Sequence, residues 1–189
     1  MKYFLCFILA VILVGCSARE TRKIYYDNGE LKSIFQFKGD KKDGIQKSYD
    51  ESGKLVQADK FNDGILEGTT KYDYYDNGQV KTEWNLKDGK EEGIKKSYYE
   101  GGKLEEESNY KEGKIEGITK WLFESGKLKA EMNWKDGKPE GVAKRFRENG
   151  KLEYEGNYKN GELDGIRKEF YEDGRLKSEK SYKDGKEVK

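Results

Sequence analysis

Histidine is absent from the 189 residues, and proline occurs once. The first absence removes imidazole acid–base catalysis and every histidine-ligated metal site. The second leaves the turns to glycine, of which there are 23. Cysteine is scarce and confined to the front, at Cys6 and Cys16, so the rest of the chain must hold together without disulfides. Neither charge sign dominates: Lys plus Arg is 38, Asp plus Glu is 37, and the net charge is +1. A dedicated nucleic-acid binder would show a basic excess, so none is expected as a partner. Hydrophobic residues make up only 33% and charged residues 40%, a balance seen in disordered chains. Yet there are 14 Tyr, 8 Phe and 3 Trp, and disordered chains lack aromatics.

The first sixteen residues, MKYFLCFILAVILVGC, carry Lys2 and then an apolar run from Tyr3 to Val14. A bilayer span needs ~20 apolar residues, so this run has the length of an export signal instead. Its end, Leu13-Val14-Gly15-Cys16, resembles the bacterial lipobox. The resemblance implies cleavage before Cys16, diacylglycerol on its sulfur and an acyl group on its nitrogen. Several acyl chains would anchor firmly, since each buried CH₂ adds ~0.8 kcal/mol. Ser17 then resembles a signal for the outer membrane, if the host has one. The expected organisation is a signal peptide over 1–15, a short linker over 16–22 and one repeat domain over 23–189. The only helix expected is in the signal. Removing it takes Lys2 away and leaves 37 basic and 37 acidic side chains.

The remainder repeats. Gly29, Gly53, Gly78, Gly102, Gly126, Gly150 and Gly174 recur every 24 residues with one interval of 25. Gly44, Gly68, Gly93, Gly117, Gly141 and Gly165 slip by one residue in the same interval. The series Lys23, Lys47, Lys71, Lys96, Lys120, Lys144 and Lys168 confines the extra residue to Tyr72–Tyr75, where it reads as a β-bulge. Each copy has four apolar columns. They are typified by Tyr98, Leu104, Tyr110 and Ile118, with Leu122, Leu128, Trp134 and Val142 one copy later. The offsets within a copy are even, the period of one face of a strand. Seven copies of two strands predict an all-β, elongated antiparallel meander of about fourteen strands with one apolar face and no helix. Parity selects a three-residue first turn, a type I turn followed by a left-handed glycine. Tyr98 then faces Leu104 and Lys96 faces Glu106. The second turn, Asp/Glu-Gly-Lys-x-Glu-Gly, is also expected to be odd in length.

Copies such as Tyr98-Tyr99-Glu100-Gly101-Gly102-Lys103-Leu104, followed by Tyr110-Lys111-Glu112-Gly113-Lys114-Ile115-Glu116-Gly117, resemble the MORN-repeat variant family over residues 23–186. The resemblance implies a non-enzymatic repeat sheet used for protein scaffolding and sometimes lipid contact. Many bacterial members carry an antitoxin label. An export signal argues against that role, because a cytoplasmic toxin could not be neutralised from outside.

No enzyme constellation is present. There is no Gly-x-Ser-x-Gly, no P-loop and no calcium-loop spacing, so no cofactor and no metal is expected. Parity places Glu83, Glu107, Glu131, Glu155 and Glu179 on the polar face and the lysine series on the aromatic face. Those lysines either cover apolar surface with their stems or meet an anionic polymer or lipid headgroups. The candidate binding face is Tyr98, Tyr110, Trp134 and Tyr158 with Lys96, Lys120 and Lys144. Its aromatics either bind or form the core. If they bind, Trp134→Ala spares stability and loses a partner.

The leading reading is a non-catalytic, membrane-anchored lipoprotein of the bacterial cell envelope that binds a protein or assembles with itself. The alternatives are an envelope glycan or lipid binder, and an antitoxin or immunity component.

Overall fold

The structure is a computed structural model, and it describes residues 19–189. The expected signal helix, the lipobox and Cys16 lie outside these residues. Every regular element among the described residues is a strand, and all the pairings are antiparallel. The chain divides into two compact units, residues up to Thr69 and residues Thr70–Lys189. Strand Ile65–Tyr74 carries the chain from one to the other and is the longest, at 10 residues. The extra residue of the repeat falls at its end.

In the first unit, Glu20–Tyr25 pairs with Leu31–Lys38, which pairs with Lys41–Lys42 and Gly44–Tyr49, and the latter pairs with Leu55–Asn62. In the second unit the same meander runs from Val80–Lys87 to Lys186–Val188, each arm hydrogen-bonded to the next. Among the described residues there are 18 strands rather than fourteen. Three arms break near the second glycine into a two-residue piece and a longer one, and Lys186–Val188 starts a further arm.

The first turn is the expected one. The Tyr99 N–H donates to the Lys103 carbonyl and the Gly102 N–H to the Tyr99 carbonyl, both at 2.8 Å. Gly102 has φ +80°, where a side chain would be strained. Tyr98 does stand opposite Leu104. A bulge then follows: Ser97 stands opposite Glu106, so Lys96 faces Glu107, not Glu106. The second turn is even, not odd. Lys111 and Lys114 flank Glu112 and Gly113, whose φ values of +50° and +82° make a type I′ turn. Irregular pairing after it, at Gly117, restores the arm.

One bulge per hairpin changes which residues share a face, because a shift of one residue inverts a strand's side chains. The apolar columns therefore do not lie on one face. Directly opposed residues share a face, so the pairs Glu83↔Lys96, Lys96↔Glu107, Glu107↔Lys120 and Lys120↔Glu131 define one side, the ladder face. Tyr98, Leu122, Phe146 and Phe170 come two residues after a ladder lysine and belong to it. The other side carries Trp84, Trp121 and Trp134, and with them Tyr110, Tyr154 and Tyr158.

Burial is concentrated on this tryptophan face. A row low except at Met132, made of Ser108, Thr119, Met132, Ala143 and Gly156, runs across it. Thr119 is 0% exposed and Ser108 1%. Taller neighbours fold over the row. The Trp121 indole N–H donates to Glu106 at 2.9 Å, and the Ser108 hydroxyl donates to the same carboxylate. The hydroxyls of Tyr154 and Tyr158 meet at 2.8 Å above Gly156, where a Cβ would lie 2.3 Å from the Tyr154 Oη. The core is thus a trough of mostly small residues, with Met132 among them, roofed by aromatics and their polar tips. Cations complete it: Lys42 stands over Phe35 and Phe61 at 5.4 and 4.9 Å, and Lys95 over Tyr110 and Trp84 at 5.4 and 6.0 Å. Each such contact contributes about 0.5–1 kcal/mol at exposed sites.

Candidate functional site

The bulge brings the lysine and glutamate series together. In the second unit Glu83, Lys96, Glu107, Lys120, Glu131, Lys144, Glu155, Lys168 and Glu179 stand opposite one another, strand after strand. The glutamates were expected on the face opposite the lysines; they are their cross-strand neighbours. Lys96 lies 3.9 Å from Glu83, Lys144 4.0 Å from Glu131 and Lys168 3.5 Å from Glu179. Alternation leaves this row without a strip of cations. In the first unit the row differs: Lys23 and Lys47 both stand opposite Ile34, and Lys47 also faces Ala58.

Beside the rungs runs a row in which exposed aliphatics alternate with asparagines, Ile94 opposite Asn109, Ile118 opposite Asn133 and Val142 opposite Asn157. Ile94, Ile118, Val142 and Ile166 precede the ladder lysines by two residues and are between 42% and 56% exposed. On the other side of the rungs stand Tyr98, Leu122, Phe146 and Phe170, each half-buried. The ladder face of this unit therefore carries three parallel stripes: aliphatic alternating with asparagine, alternately charged, and aromatic or aliphatic. A polar residue separates each aliphatic from the next, so the row is a series of evenly spaced apolar points; its repetition from copy to copy sets it apart from the scattered exposed hydrophobics that are ordinary on a surface.

The seven residues expected to share a binding face are split. Tyr98, Lys96, Lys120 and Lys144 lie on the ladder face, and Tyr110, Trp134 and Tyr158 lie on the tryptophan face. A shallow groove of about 530 Å³ on the latter is lined by Trp84, Glu91, Lys95, Glu106 and Tyr110. Lys95 fills its aromatic walls and pairs with Glu91 at 2.8 Å, so this groove satisfies its own cation. The exposed aliphatic row was visible in the sequence as an apolar column. Parity alone set it beside the lysines; only the bulge, which has no residue signature of its own, brings the glutamates there as well.

Tyr98 links two of the stripes. Its hydroxyl donates to Glu83 at 2.8 Å. Burial first, then that carboxylate, push its pKa up to about 12. The raised value means that folding favours the neutral phenol. This contribution is complete below the unfolded value of ~10 and disappears as the pH rises through about 12. An alkaline titration followed by tyrosine ultraviolet absorbance is expected to show Tyr98→Phe removing a late-ionising tyrosine. Loss of an ordinary one instead would contradict the Tyr98–Glu83 bond.

The pattern of the family described as MORN repeat variant matches residues 21–38, 42–63, 66–88, 91–112, 115–136, 139–160 and 163–184. No curated protein matches the chain. Among solved structures, a mutant of S. aureus TarM in complex with fondaparinux, alpha-GlcNAc-glycerol and UDP is 12% identical, with a TM-score of 0.26, over 76% of this chain and 21% of that one. Accessory secretory protein 1, 2 and 3 of Streptococcus pneumoniae is 15% identical, with a TM-score of 0.17, over 70% and 18%. The chain spans about a fifth of the length of those structures, and similarity this slight carries no argument.

Proposed function

Because this chain belongs to the MORN repeat variant family, we propose that it is a non-catalytic repeat scaffold that offers its ladder face to a protein at the bacterial cell envelope. The single observation that carries the proposal is the row Ile94, Ile118, Val142 and Ile166, exposed in copy after copy beside alternating charges. Aliphatic surface supplies the driving force on contact, and fixed rungs of opposite sign supply register. The alternation disfavours a strip-like contact with anionic headgroups, which needs cations of one sign. Address comes from the leader: export and lipidation at Cys16 would hold the sheet to the membrane.

The test places a photo-cross-linking amino acid at Ile118 of the full chain in cells, and at Arg145 of the tryptophan face as a control. A discrete protein adduct at position 118 that is missing at 145, and that shrinks when Ile94 and Ile166 become Ser, is expected. Equal adducts at both positions, or none at 118, would overturn the ladder-face reading. Cys16→Ala is expected to move the protein out of the membrane fraction. Unchanged fractionation would remove the anchor from the proposal and leave the face.

A further inference from the structure

The ladder face of the second unit is built from two kinds of strand in alternation. One kind carries an aliphatic, a lysine and a large apolar residue, as in Ile118, Lys120 and Leu122 or Val142, Lys144 and Phe146. The other carries an asparagine, a glutamate and a leucine, as in Asn133, Glu131 and Leu128 or Asn157, Glu155 and Leu152. The register sets them row against row: Ile118 opposite Asn133, Lys120 opposite Glu131 and Leu122 opposite Leu128. Height alternates with chemistry. Ile118 is 56% exposed and Val142 44%, whereas the Asn157 amide lies down on its own sheet and donates to the Ile166 carbonyl at 2.9 Å. All three stripes therefore change character together from one strand to the next.

A surface of this kind is complementary to itself. Two sheets packed face to face keep their strands nearly aligned. A two-fold axis lying along one strand would set lysines over lysines and glutamates over glutamates. An axis running across the strands would do the same. An axis parallel to the strands and midway between two neighbours sets each lysine over a glutamate, each aliphatic over the low residue of the other kind, and each aromatic over a leucine. We propose that a second copy of the chain occupies the ladder face in this way, about the axis between Leu128–Lys135 and Lys138–Phe146. The proposal rests on the ladder face being an interaction surface, and it names the partner.

The lysines select the axis. Lys96, Lys144 and Lys168 each lie within 4.0 Å of a glutamate of their own ladder. Lys120 is exposed and has no ion pair among the described residues, and neither has Glu155. The axis named sets Lys120 over Glu155 of the second copy and, by symmetry, Glu155 over its Lys120. The two unpaired charges thus satisfy each other twice. The same axis sets Lys144 over Glu131, Val142 over Asn133 and Ile118 over Asn157. An axis one strand earlier would set Lys120 over Glu131, which Lys144 already engages. Twist carries more distant strands apart, so contact is confined to about the four strands nearest the axis. The outer stripes supply apolar contact. The middle stripe fixes the register, because a slip of one strand would bring like charges together. The contact is isologous and closes at two copies.

The test uses the purified full chain in detergent, with association followed by sedimentation velocity. Wild type is expected to form a concentration-dependent dimer. Lys120→Glu and Glu155→Lys each set like charges together at two symmetric places, so each variant alone should associate roughly tenfold or more weakly. Mixed, the two variants should recover most of the wild-type association, because both places in the mixed dimer then hold one charge of each sign. Within one molecule Lys120 and Glu155 lie on strands separated by two others, so the recovery cannot come from their contact in one sheet. Thermal unfolding of each single variant should stay near wild type, which separates lost association from lost folding. Undiminished association of Lys120→Glu, or no recovery on mixing, would overturn the arrangement. So would recovery with Glu131→Lys in place of Glu155→Lys. A monomeric wild type whose Ile118 probe still captures another protein in cells removes this proposal alone. A monomeric wild type with no adduct at Ile118 removes the ladder-face reading with it.

Discussion

Deleting residues 103–126 is expected to leave a folded protein one copy shorter, whereas deleting residues 103–114 should unfold most of the strands C-terminal to the cut. The larger deletion joins Gly102 to Lys127, so Leu128 takes the place of Leu104 and Glu131 that of Glu107. Lys96 again faces a glutamate, and each column keeps its face. The cost is one copy and one interface, as expected where copies touch only their neighbours. The smaller deletion joins Gly102 to Ile115. Counting on from the turn, Thr119 then replaces Glu107 on the ladder and Lys120 replaces Ser108, which is only 1% exposed. An ammonium driven into that row without a carboxylate loses water and gains nothing, a penalty of several kcal/mol. Far-ultraviolet circular dichroism and limited proteolysis of the two proteins would decide. Comparable loss of strand signal in both would refute independent copies.

How far the sequence spoke for this fold can be judged at particular residues. The period, the strands, the first turn and its left-handed glycines were legible, since Gly102 and its equivalents are required by backbone geometry. The division of the columns between faces was not. It turns on Glu105, an ordinary glutamate that is the extra residue of a bulge between Leu104 and Glu106. The type I′ turn at Glu112-Gly113 escaped for a related reason. Its length is even, and the compensating irregularity lies several residues away at Gly117. These two shifts move Trp134 and Tyr110 away from Tyr98 and bring Glu107 to Lys96. The candidate site was therefore legible as a set of columns and illegible as a surface.

That correction reverses the expected behaviour of Trp134. Had all the aromatics shared one open face, Trp134→Ala would spare stability and cost binding. Its position argues otherwise. Trp134 stands between Gly117 and Pro139 on the neighbouring strands, neither of which has the reach to fill its volume. Its Nε1 is buried without an acceptor, so the ring is held by packing and not by a polar contact. With only Gly117 and Pro139 opposite it to settle into the gap, truncation should cost about 3 kcal/mol, the low end for a buried tryptophan because this one is half-buried. For a chain of this size that lowers the melting temperature by roughly 6–12 °C. Trp134→Phe should cost no more than about 1 kcal/mol, because the lost N–H gives up no hydrogen bond. Ile118→Ser, on the ladder face and 56% exposed, should stay within about 0.5 kcal/mol of wild type. Thermal unfolding of the three variants separates the faces. A small effect of Trp134→Ala, or an equal drop for Ile118→Ser, would show that the trough under the tryptophans is not what holds the sheet together.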